Sequence, residues 1–168
     1  MVVVILIIIL IGLYFMFRQE NEPEPIVKKP INSGTMTSSP KGNIYDELTH
    51  MQKLAAMRLM FAFGGACDGN PVAIEKINHI MTVEGGKMGI SGNEVRSAGN
   101  LFSGMKDMAR TLTGISYPVK ESLFIAMYCI VAACKDKQAV TVLLGVFNDI
   151  GLSESECLEI LQKKTGRI

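Results

Sequence analysis

Leu123-Phe124-Ile125-Ala126-Met127-Tyr128-Cys129-Ile130-Val131-Ala132-Ala133-Cys134 is apolar on nearly every face that a helix would have. A helix apolar all round has no side to turn to water, so it belongs at the centre of a bundle. Ser116 and Pro118 stand where this helix would open, because proline at the first helical positions gives up an N–H that has no intrahelical acceptor anyway. Lys135-Asp136-Lys137 reads as the turn that closes it. The run falls short of the roughly 20 residues that a spanning helix needs, which makes it a core helix rather than a membrane segment.

The neighbouring segments share the helical period. Gln138 to Ile150 places Val140, Leu143, Leu144, Phe147 and Ile150 on one face and ends at Gly151, and a last helix carries Cys157, Leu158, Ile160 and Leu161. On the other side, Val95, Ala98, Leu101, Phe102, Met105, Met108, Ala109 and Leu112 make one stripe, predicting a single helix from Ser91 to Gly114. Ser91 with Glu94, and Ser153 with Glu156, have the spacing of capping boxes, in which each side chain satisfies an orphan backbone N–H of the other residue. Earlier still, Ile44, Leu48, Met51, Ala55 and Leu59 lead into Phe61-Ala62-Phe63, predicting a helix from Asn43 that is buried more deeply toward its end at Gly64-Gly65. A further helix from Pro71, with Val72, Ile77, Ile80 and Met81 inward, is expected to end at Gly85-Gly86. No segment alternates convincingly as a strand, so the fold class is all-α, a bundle of six or seven helices.

The two halves of this region look related. Met88-Gly89-Ile90-Ser91-Gly92-Asn93-Glu94 matches Ile150-Gly151-Leu152-Ser153-Glu154-Ser155-Glu156, and the Cys67-Asp68 turn matches the Lys135-Asp136 turn. A pair of pseudo-repeats packed as one bundle is economical, since neither half could bury its apolar faces alone.

Ahead of this domain, Met1 to Phe17 holds no charged side chain and ends at Arg18. As a helix, with Val2, Ile5, Ile9, Leu13 and Phe17 against lipid, it would reach roughly 25 Å, close to the thickness of a hydrocarbon core. No basic region precedes it and no small-x-small site follows it, which favours an uncleaved anchor in the lipid bilayer over a signal peptide. Arg18, Lys28 and Lys29 follow the run, so the positive-inside bias puts the domain on the cytoplasmic side of the inner membrane. Residues 18–42 contain Pro23, Pro25, Pro30 and Pro40 among Glu, Ser, Thr and Gly, a composition that cannot bury enough apolar surface to fold. The expected organisation is therefore anchor 1–17, linker 18–42 and helical domain 43–168. Cys67, Cys129, Cys134 and Cys157 form no Cys-x-x-Cys pair and suit buried thiols in a reducing compartment.

The domain resembles the tellurite-resistance-B-like (TerB-like) helical domain. In that family an apolar helix runs into an Ala-Asp-Gly turn, an acidic residue follows about seven positions on, and a later Leu-Gly-hydrophobic-Ser element opens another helix. The corresponding residues are Leu54 to Ala66, Asp68-Gly69 with Glu75, and Ile150-Gly151-Leu152-Ser153 with Glu156. Cys67 departs from the small residue usual there, Asp136 is followed by Lys137 rather than Gly, and no carboxylate stands near position 143 to match Glu75. With its anchor, the chain is also similar to the front part of the membrane-anchored J-domain co-chaperones. It lacks the His-Pro-Asp tripeptide, so stimulation of Hsp70 does not carry over.

Asp68, Glu75 and His79 form the candidate metal site. Glu75 and His79 lie four apart on one helix face and Asp68 lies in the turn before that helix, so one divalent ion would meet two carboxylates and an imidazole. The resemblance implies a metal role for the two acidic positions; the plain alternative is that they are turn and solvated-face residues. Gly85-Gly86-Lys87 lacks the following Ser or Thr of a phosphate loop, and Asp68-Gly69-Asn70 leads to Val72 and Ile74 where an EF-hand needs ligands. A net charge of +1 without a basic run among aromatics argues against nucleic acid as a partner. With two histidines, neither in a nucleophile or zinc motif, the chain does not read as an enzyme. The expected function is a membrane-tethered module that binds a protein partner, with self-association left open; the alternative is a metal-binding stress-response protein.

Overall fold

A computed structural model describes residues 42–66 and 70–165. The expected anchor, with Val2, Ile5, Ile9, Leu13 and Phe17, the linker up to residue 41, and the turn residues Cys67, Asp68 and Gly69 lie outside the described residues. The described chain is all-helical: α1 His50–Gly65, α2 Pro71–Met88, α3 Gly92–Ser97, α4 Met105–Thr111, α5 Tyr117–Cys134, α6 Lys137–Ile150 and α7 Glu154–Thr165, with 3-10 turns at Ile44–Glu47 and Ala98–Asn100.

The apolar run sits where its composition requires. Helix α5 packs against α1, α2, α6 and α7, and its Leu123, Phe124, Met127 and Ile130 are fully buried. By length and composition α5 would pass for a membrane span, but these residues are covered by the rest of the bundle. Phe124 meets Phe147 of α6 edge-on at 5.1 Å between ring centroids, a favoured aromatic geometry. Ser116 caps α5 without its hydroxyl: Glu47 Oε1 accepts from the Ser116 N–H at 3.1 Å, so the turn at Ile44–Glu47 closes the helix start.

Both Gly-hydrophobic-Ser-x-x-Glu elements take one local form. Gly89 and Gly151 adopt left-handed φ values of 68° and 88° at the ends of α2 and α6. In the residue after each glycine, Ile90 N–H donates to Gly85 O at 2.9 Å and Leu152 N–H to Phe147 O at 2.8 Å, the closure of a Schellman motif. Ser91 with Glu94, and Ser153 with Glu156, then form the expected reciprocal caps.

Three expectations are corrected. The helix expected from Asn43 is broken at Leu48-Thr49, because Thr49 and Gln52 form a capping box of their own. The break shifts the register, so Tyr45 is buried while Ile44 and Met51 are exposed, and of Phe61-Ala62-Phe63 Phe63 alone is buried. Helix α2 does not stop at Gly85-Gly86 but continues to Met88, and its Val72 faces water. Gly85 lies in the helix interior because a Cβ there would stand 3.1 Å from Ile90 O and 3.4 Å from Met57 Cε. The stripe from Val95 to Leu112 belongs to two helices: α3 gives way to a 3-10 turn, Leu101 is exposed, and α4 restarts after Gly104, with Asp107 Oδ2 accepting from the Ser103 N–H at 3.1 Å.

Gly85 and Gly86 make a paired test. A Cβ on Gly86 meets nothing within 4 Å, so Gly86→Ala should gain the helix preference of Ala over Gly, about 1 kcal/mol. Gly85→Ala should fall clearly below that gain, since its Cβ must displace the Ile90 carbonyl. Guanidinium unfolding of both variants measures the difference, and equal gains would show that α2 is not closely packed at Gly85.

Candidate functional site

The expected metal site is placed only in part. Glu75 and His79 are both exposed on α2, one helical turn apart, and Asp68 lies outside the described residues. Among the described residues no three His, Cys, Asp or Glu side chains gather closely enough to hold a metal ion.

The structure does assemble a polar cluster that the sequence reading missed. The Tyr45 hydroxyl, fully buried, donates to Glu84 Oε2 at 2.5 Å and lies 2.8 Å from Ser122 Oγ. Lys87 Nζ donates to Glu84 Oε1 at 2.7 Å, and the Asn43 side-chain amide donates to the Lys87 carbonyl. Glu84 is the buried charged residue of the described core, and Lys87 supplies its counter-charge from one turn along α2. A carboxylate taken from water needs such partners, because a lone buried charge is expensive. Burial, and then the hydrogen bond to Glu84, push the Tyr45 phenol well above its ordinary range. Burial, and then the Glu84 charge, also raise the Cys129 pKa, so the nearby thiol keeps its proton at neutral pH and is a poor nucleophile. The cluster therefore fixes the start of the domain to α2 and α5.

The open site lies on the other side of α2. Met57 and Phe61 of α1, Asn78, Met81, Thr82 and Gly85 of α2, and Ile90, Ser91, Gly92, Val95 and Arg96 at the start of and along α3 border a groove of about 450 Å³. It continues past Phe61, Asn78 and Met81 into a second hollow of about 140 Å³ at Gly64, Gly65, Ile74 and Ile77. Phe61 is 47% exposed and Ile74 42% exposed at its edges. The Arg58 guanidinium rests 5.6 Å from the Phe61 ring centre, a cation–π contact, and its buried Nε has no acceptor among the described residues. Arg96, on the α3 side, donates to Asn93 Oδ1 at 2.7 Å. No family model, curated protein or solved structure matches the chain. The sequence held one signal for the groove: Phe61 breaks the buried face of α1 with a large apolar side chain placed next to two glycines.

Two consequences of the polar groups are measurable. Tyr45→Phe removes the Glu84 donor while keeping the ring, and should lower stability by about 1–3 kcal/mol in chemical denaturation. The pH profile follows from the shifts. Tyr45 and Tyr128 are raised from an ordinary 10.0, and burial pushes Cys157 from 9.0 to about 12. The folded state holds these protons where the unfolded chain has lost them, so stability should be full below pH 9 and fall above it. Glu94 and Glu156 are lowered from 4.5 by the serines they cap, so their contribution is present above that value and lost as the pH falls below it. Melting temperatures between pH 3 and 11 should form a plateau with both edges, and Tyr45→Phe should soften the alkaline edge.

Proposed function

We propose that the chain is a non-catalytic interaction module, held at the cytoplasmic face of the inner membrane by residues 1–17 and a linker, whose helical domain captures a protein partner. The observation that carries this reading is the groove between α1 and α2, where Phe61 and Ile74 stay exposed beside a well-buried core. An aromatic side chain left half in water forfeits about half of the roughly 1.5–3 kcal/mol that full burial supplies, and a docked partner recovers part of that. The apolar, uncharged run at Met1 to Phe17, followed by Arg18, supports the anchor and its orientation. The layout of the domain, with its two Gly-hydrophobic-Ser-x-x-Glu elements, supports kinship with TerB-like domains and an origin as two pseudo-repeats.

A photoreactive residue at Asn78, inside the groove, should join the full-length chain in its own membranes to one discrete partner. The same residue at Thr141, on the exposed side of α6, should not. Identical adducts from both positions, or none from Asn78, would refute docking in the groove. The full-length chain should also stay with the membrane through alkaline carbonate, and the chain lacking residues 1–42 should be soluble; release of both would refute the anchor.

A second reading rests on Glu75 and His79, which stand exposed one turn apart near the start of α2, the helix that follows Asp68. In this reading the domain binds a divalent ion in a stress response of the tellurite-resistance kind. A melting temperature that rises with zinc or manganese, and no longer does so in Asp68→Ala or Glu75→Ala, is the expected result. An unchanged melting temperature across the physiological divalent ions would sink it.

A further inference from the structure

We propose that the groove takes a short amphipathic helix that carries carboxylates beside its apolar face. The inference rests on the docking role of the groove and adds the chemistry of the occupant. The α2 wall runs from Ile74 to Gly85, about 16 Å or three helical turns, which is the length over which a helix presents apolar anchors at i, i+4 and i+7. Met81, half-buried on α2, lines this wall with a flexible side chain that adapts to an incoming apolar surface, and the buried Met57 of α1 faces it from the other side. At one end two glycines of α1, Gly64 and Gly65, line the hollow. Gly64 is explained from within, since a Cβ there would fall 2.9 Å from Ile77 Cγ2. Gly65 is not, since its Cβ would meet none of the described residues within 4 Å, and it borders the hollow.

Charge gives the occupant its sign. Among the described lining residues Arg96 is charged and none is a carboxylate. Arg58 adds a second cation beside Phe61, with its Nε unbonded within the described fold. Glu75, exposed one residue from Ile74 on the neighbouring face of α2, stands at the opposite end from Arg96. A helix lying in the groove would thus set its carboxylates toward the Arg58 and Arg96 rim, where rim charges tune recognition and association rate.

The test uses the full-length chain in nonionic detergent and two synthetic helices with leucines at i, i+4 and i+7, one flanked by glutamates and one by lysines. The glutamate helix should bind about tenfold or more tightly than the lysine helix at low salt, with the gap narrowing as salt screens it. Arg96→Ala should reduce the preference about three- to tenfold, and Gly65→Leu should abolish binding while the melting temperature holds. Equal binding of both helices, or undiminished binding to Gly65→Leu, overturns the proposal. So does a concentration-dependent dimer that Gly65→Leu dissolves, which makes a second copy the occupant, or a gain of more than tenfold on deleting residues 18–41, which makes the chain's own linker the occupant. Groove crosslinks at Asn78 with no preference between the helices would overturn the acidic occupant and leave the docking role standing; loss of both would overturn the two together.

Discussion

The run of residues 123–134, apolar on nearly every face, has to be covered by other elements, and α5 imposes that condition on the remainder of the domain. Four helices meet it: α1, α2, α6 and α7 each lay a face on α5. The elements at its two ends are set by the same demand. Glu47 reaches across to cap its first turn, and Lys135, at a left-handed φ of 56°, turns the chain so that α6 can return alongside. A lysine in that conformation is strained relative to glycine, which shows how firmly the two packed helices hold the turn between them.

Enclosing α5 has a polar cost that the Tyr45 cluster offsets. Ser122 lies on α5 and Glu84 on α2, and both need hydrogen-bond partners away from water. Tyr45 reaches both from the first turn of the domain, while Lys87 neutralises the carboxylate from the solvent side. The bonds are directional, so they fix where the chain enters the bundle, a choice that apolar contacts alone leave loose. Their geometry also explains why α2 continues beyond its glycines: ending at Gly85 would leave Lys87 outside the helix and out of i, i+3 reach of Glu84.

The groove follows from what α1 and α2 do not share with α5. Each buries one face in the core and keeps a second face whose side chains, Phe61 and Ile74 among them, find no further helix of the described domain to cover them. Where the two helices approach, Gly64 makes room for the Ile77 side chain and Gly85 for that of Met57, and the remaining space beside Phe61 and Met81 opens outward. The core therefore determines where the open surface lies. It leaves that surface largely apolar, with Arg96 at its border and Arg58 against Phe61.

Local chemistry alone was enough for the central helix, both serine–glutamate capping boxes, the glycine stop at Gly151 and the all-α class, because each depends on residues within a turn or two of one another. The same logic failed at Gly85-Gly86, where Gly85 serves contact with Met57 and Ile90 rather than a helix end, and at Thr49 and Leu101, where capping or exposure overrides an apolar period. Glu75 and His79 were rightly placed on one helix face, since i, i+4 spacing is a local property. Glu84 and Ser122 lie 39 and 77 positions from Tyr45 in sequence, and the groove joins α1 to α2 and α3. Sequence determined the all-α class and which helix is the core; tertiary packing decided which polar groups meet and which apolar face stays open, because both depend on distances that no local period encodes.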